Sequence, residues 1–205
     1  MERTMTRTVL LLTCLAAVAV WAEPLNRGER DRAMSELHAT RKRFLDSIAG
    51  LSQRQWNFKP APQVWSIAQI ADHVVVSEGE LFDALQKKIL ASPAQPGKRG
   101  TTKAKDEQVL KVFPDRSQKR KAPANLEPAG KWATQSAAVS EFKKLRDAHI
   151  AYVDQTQDDL RAHFTENRVM GEIDGYQWML LISAHTERHV LQIEEVKANA
   201  KYPKK

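Results

Sequence analysis

Residues 174–198 read DGYQWMLLISAHTERHVLQIEEVKA. Asp174 and Gln177 stand at a capping-box spacing, in which each side chain satisfies the other's otherwise unpaired backbone N–H at a helix start. From there Trp178, Leu181, Ile182, His185, His189, Ile193 and Val196 recur with a helical period. The segment therefore reads as an amphipathic helix, and its inward stripe carries two histidines four residues apart. An unpaired imidazole turned into an apolar core is costly, so the pair needs partners from elsewhere in the chain.

Three further segments carry the same period. Asp31 to Leu51 aligns Met34, Leu37, Phe44, Leu45, Ile48 and Leu51 along one stripe. Asn57, Pro60, Pro62 and Gln63 then make a turn, and Ser66 with Gln69 repeats the capping spacing before a stripe of Ile67, Ile70, Val74, Leu81 and Leu85. A third helix is expected from about Thr134 to His163, with Val139, Phe142, Leu145, His149, Val153, Thr156 and Leu160 inward. No run alternates in the manner of a strand. Between residues 92 and 131, five prolines (93, 96, 114, 123, 128) and three glycines (97, 100, 130) forbid a long helix. This stretch is expected to be a solvated crossover with a single helical turn around Glu107 to Val112. Four long helices with one long crossover between the second and third describe an all-α four-helix bundle.

The chain begins MERTMTRTVLLLTCLAAVAVWAEP: two arginines, an apolar run from Val9 to Ala22, and small residues at its end. That is the pattern of a cleaved export signal, and the run is shorter than the roughly 20 residues of a spanning helix. A signal over 1–22 leaves one domain, 23–205, in a periplasmic or secreted setting. The single cysteine, Cys14, departs with the signal. The domain is then left without disulfides, cysteine catalysis, Cys-based zinc sites or covalent c-type haem.

The formal net charge is +7. Residues 92–131 hold ten basic side chains (Lys98, Arg99, Lys103, Lys105, Lys111, Arg116, Lys119, Arg120, Lys121, Lys131) against four acidic ones. The basic excess of the exported chain thus sits in the crossover. An anionic lipid or cell-wall surface suits this segment, and nucleic acid is a poor partner for an exported protein.

On an α-helix His185 and His189 lie about 40° apart and about 6 Å along the axis, so both imidazoles can reach one ion. A zincin needs Glu directly after the first histidine; here that residue is Thr186, and Glu187 points away. Di-iron bundles need paired E-x-x-H motifs, and no histidine here has Glu three residues before it. His73, in WSIAQIADHVVVSEGELF (65–82), lies beside the stripe of the second helix. With His185 and His189 it could form a three-nitrogen face with coordination positions left open. On these residues alone, plain core packing and non-covalent haem held by two histidines stay open as well. Gln192 shares the face of His185 one turn beyond His189. It is a candidate to hold a ligand imidazole or a metal-bound water, and equally a buried amide; Ser77, one turn after His73, is a weaker candidate for the same role. His149 reads as a hydrogen-bonded core residue, His38 and His163 as surface or helix-end residues, and Trp56, Trp65 and Trp178 as core. No general base is evident on the ligand faces.

The two quoted segments, 65–82 and 174–198, resemble the signature segments of the DinB superfamily, four-helix bundles in which a tryptophan and small turn lead into a helix bearing one metal histidine and the last helix supplies an HxxxH. The resemblance spans the whole exported chain, long connection included. It implies a divalent ion (Zn, Ni or Fe) held by His73, His185 and His189, often in a homodimer, and an unidentified small-molecule substrate. Some relatives are S-transferases or isomerases that use low-molecular-weight thiols. Those thiols are cytosolic, so a metal-dependent hydrolase suits an exported chain better. The alternative is a non-enzymatic module that the metal staples together. Three protein ligands rather than a closed set of four favour the enzyme; the lack of a general base favours the module.

Overall fold

The structure is a computed structural model that describes residues 22–132 and 134–204. The export signal expected over 1–22 lies, apart from Ala22, outside the described residues. Helices α1 (Arg27–Ile48), α2 (Gln53–Trp56), α3 (Ile67–Ala84), α4 (Lys105–Val112), α5 (Gln135–Gln155) and α6 (Gly175–Lys197) are joined by short 3-10 turns and one hairpin. Four of them are closed at the start by reciprocal side-chain caps: Asn26 with Glu29, Ser52 with Gln55, Ser66 with Gln69, and Asp174 with Gln177. A π-helical turn, Leu85–Ile89, carries α3 one turn further.

The long helices α1, α3, α5 and α6 form the four-helix bundle. Helices α1 and α3 each pack on both α5 and α6, so α1 sits across the bundle from α3, and α5 from α6. The apolar core has two parts. One gathers Leu37, Leu85, Val153, Tyr176 and Ile182; the other gathers Phe44, Ile70, Val74, Phe142 and Ile193. Between them every long helix contributes polar residues to one buried layer: Thr40, Glu78, Arg146 with His149, and Ser183 with Thr186. The Arg146 guanidinium donates to Glu78 Oε2 at 3.1 Å, to Glu78 Oε1, to the Leu37 carbonyl at 2.8 Å, and to the Thr40 and Thr186 hydroxyls at 2.8 Å each. His149 Nδ1 lies 3.1 Å from Glu78 Oε2, and its ring stacks on Phe82.

Three expectations are corrected. The third helix ends at Gln155, not near His163: Thr156 turns to extended backbone, and its hydroxyl exchanges hydrogen bonds with Asp158, a local alternative to the helical ladder. His163 follows a 3-10 turn and sets Nδ1 2.8 Å from the Ser92 carbonyl. A strand pair, absent from the sequence reading, follows: β1 (Phe164–Asn167) pairs antiparallel with β2 (Gly171–Asp174). Asn167 Oδ1 accepts the N–H groups of Val169 and Met170, and Gly171 adopts φ 67°, closing the turn.

The third correction is the crossover, which is packed rather than solvated. Helix α4 takes in the expected turn, lies on α6 and fully buries Val109. The Lys105 ammonium donates to the carbonyls of Met170 and Glu172, and Arg161 joins Glu29, Asp106 and Asp174 from three separate elements.

Candidate metal centre

His73 sits in the second turn of α3, and His185 and His189 on successive turns of α6. Packing of α3 against α6 brings their three Nε2 atoms together: 3.0 Å from His73 to His189, 3.2 Å from His73 to His185, and 3.2 Å from His185 to His189. His73 and His189 are buried and His185 is half-buried.

The outer nitrogens define the tautomers. His73 Nδ1–H donates to the Leu126 carbonyl at 2.6 Å, and His189 Nδ1–H donates to Gln192 Oε1 at 2.8 Å. In a neutral imidazole the other nitrogen then carries a lone pair, so these Nε2 lone pairs face the common centre. Burial lowers all three pKa values. It takes His185 down to about 3, with the neighbouring His73 adding to the effect, and His189 well below its ordinary value. The trio is therefore neutral at physiological pH.

Two inward-facing lone pairs and a third imidazole nitrogen converge on one point, and the arrangement fits a divalent cation. Edges of 3.0–3.2 Å are short enough that all three nitrogens could hold one ion at the roughly 2.0–2.1 Å of a Zn–N bond. Imidazole suits Zn, Fe and Ni alike. Among the described residues, these three are the one group of His, Cys, Asp or Glu with ligand atoms close enough for shared coordination.

Several neighbours were not foreseen. Asp72, buried beside His73, accepts the backbone N–H groups of Ala129, Gly130 and Lys131 at 2.8–2.9 Å and of Trp132 at 3.4 Å. Asp72 and His73 together thus tie the end of the crossover to α3. Its one sequence signal was adjacency to a candidate ligand. The Phe113 ring approaches His185 with centroids 6.2 Å apart. Arg188 holds that stretch of the crossover on α6 by donating to the carbonyls of Phe113, Asp115 and Gln118.

Gln192 contacts His189, as described. Ser77 is fully buried, and its hydroxyl has no hydrogen-bond partner among the described residues, the histidines included. Trp56 belongs to the core. Trp65 is half-buried, with its ring centroid 5.0 Å from that of His73, and Trp178 donates Nε1–H to the Leu81 carbonyl. Both tryptophans and all three histidines line a cleft of about 1250 Å³ bounded by the 60–69 turn, the crossover, the hairpin and α6.

A four-helix bundle with an α3 histidine facing an HxxxH on its last helix defines a class, and comparison with known proteins names it. The chain belongs to the DinB superfamily, whose profile matches residues 36–193. It is 28% identical over 164 residues to the uncharacterized protein YuaE of Bacillus subtilis (strain 168), covering 80% of this chain and 96% of that one. Among solved structures it is similar to YfiT from Bacillus subtilis, described as a probable metal-dependent hydrolase with an unusual four-helix bundle topology. That match has a TM-score of 0.55 and 11% identity over 88% of this chain and 93% of the other. At that identity the likeness speaks to the fold.

Proposed function

We propose that this protein is an exported metal-dependent hydrolase whose divalent ion, Zn, Ni or Fe, is held by Nε2 of His73, His185 and His189. The observation that carries the reading is the convergence of three inward-facing imidazole nitrogens at 3.0–3.2 Å on the wall of a large cleft. The description of YfiT as a probable metal-dependent hydrolase supports it. When bound, such an ion supplies Lewis acidity that polarises a substrate oxygen and acidifies water towards neutral pH.

The chain's own residues do the rest. The Leu126 carbonyl and Gln192 fix the ring orientations of His73 and His189 and keep their protons on Nδ1. Trp65 packs beside His73 and shields that side from water. Neutral histidines would leave the ion its full charge, and no further His, Cys, Asp or Glu among the described residues joins the trio, so such a site would keep positions for substrate and water.

The test is elemental analysis of protein purified without chelator, combined with a panel of chromogenic esters and phosphoesters. We expect about one divalent ion per wild-type chain and little in a His185→Ala, His189→Ala variant. Hydrolysis should cease on chelation and return with added metal. Equal metal in both proteins would make the histidines core packing. Metal without turnover, with stability collapsing on chelation, would make the ion a staple.

A further inference from the structure

The crossover's basic residues divide into two groups. Lys98 pairs with Glu172, Arg99 with Asp159 and Glu23, and Arg116 bidentately with Glu195; Lys105 is enclosed by carbonyls. Their charges stabilise the fold. Lys119 and Arg120, further along the crossover, line the cleft of the histidine site and make no ion pair among the described residues. The same holds for Arg168 at the tip of the hairpin, on another wall of the cleft. Lys121 also lines it, with Glu127 no closer than 3.8 Å. Of the three cleft carboxylates, Glu195 is engaged by Arg116 and Glu127 faces Lys121, which leaves Glu166 as the one without a cation.

These cations line the same cleft as the candidate metal site. The Arg120 guanidinium lies 5.4 Å over the Phe113 ring, and that ring lies 6.2 Å from His185. Like charges gathered around a low-dielectric cleft focus a field that concentrates anions, and a metal would strengthen it.

We infer that the substrate of this site is a small-molecule anion, whose charged group is received by Lys119, Arg120 and Arg168 while its apolar body lies against Phe113 and Trp65. The inference rests on the reading of the histidines as the reactive centre, but anion selectivity is measurable whether or not that reading holds. It also assigns the crossover's unpaired charge to the cleft rather than to an anionic polymer or lipid surface.

Benzoate and benzamide make a suitable probe pair, equal in shape and different in charge, and tryptophan fluorescence reports from the cleft through Trp65 and Trp178. Benzoate should bind at least about tenfold more tightly than benzamide at low salt, and the preference should shrink as ionic strength rises. A Lys119→Gln, Arg120→Gln, Arg168→Gln variant should lose about tenfold in benzoate affinity, with benzamide binding, metal content and circular dichroism unchanged. Arg168→Gln alone, on the exposed hairpin tip, should show part of the loss and guards against misfolding of the triple variant. Equal binding of the two probes, binding of neither, or indifference of the triple variant would overturn the inference. So would co-sedimentation with anionic vesicles that is lost in the triple variant while no benzoate preference exists. Charge-dependent benzoate binding in a wild-type protein that holds no metal would uphold the anion site and remove the hydrolase reading.

Discussion

Arg146→Met tests the buried layer that separates the two halves of the core. The arginine is completely buried and Glu78 is 2% exposed. The substitution removes the donors that now reach Glu78, Thr40, Thr186 and the Leu37 carbonyl. The Glu78 carboxylate is then left with the Thr186 hydroxyl at 2.7 Å and His149. Breaking one side of a buried ion pair costs about 3–5 kcal/mol, a large part of the roughly 5–15 kcal/mol that holds a domain folded. Adding Glu78→Leu should recover most of the loss, because replacing the whole pair by apolar groups is about neutral.

The pH dependence has a definite sign. Burial alone would raise the Glu78 carboxyl, but the Arg146 charge, the His149 contact and the Arg146 hydrogen bonds outweigh it and hold the group far below its ordinary value of 4.5. A depressed carboxyl contributes stability above its unfolded pKa and loses it as pH falls. Without Arg146 burial prevails and the carboxyl is raised, so the variant gains from protonation as pH falls. The gap between variant and wild type should therefore be widest near pH 7 and narrow below about pH 4.5. Urea unfolding followed by circular dichroism, with chelator present to remove stabilisation by bound metal, measures both effects. A loss below about 1 kcal/mol, as expected for an exposed pair, or a double variant no better than the single one, would refute the reasoning.

Gln192→Ala removes the acceptor of His189 Nδ1–H and should lower metal affinity about 10- to 100-fold with the fold intact, as read by competition with a chelating dye. Asp72→Ala removes the acceptor of three short backbone bonds at 129–131; limited proteolysis within 113–131 should then be faster than in the wild type. N-terminal sequencing of protein recovered from an extracytoplasmic fraction should begin at or near Glu23, and intact Met1 on cytoplasmic protein would sink the export proposal.

The four long helices were legible because their signals are local. Capping pairs such as Ser66 with Gln69 lie three residues apart, and stripes such as Ile70, Val74 and Leu81 repeat within a single helix. Periodicity likewise placed His185 and His189 on one face. What escaped depended on contacts between distant segments or on competition too fine for a pattern. The stripe of α5 gave no reason to bury Arg146, because a lone arginine is ordinarily exposed. Glu78, Thr40, Thr186 and the Leu37 carbonyl, brought in by three other helices, satisfy it there. Thr156 ended α5 through hydrogen bonds to a residue two positions on, and the four-residue strands were too short for alternation to register. The site divides in the same way. Three histidines of suitable phase were visible in the chain, but the angle between α3 and α6 decides whether their nitrogens meet. Lys119, Arg120 and Arg168 come to line one cleft with those nitrogens only when the crossover and the hairpin fold back over α6. That angle and that folding back are set by packing against the rest of the core, which no local stretch of sequence encodes.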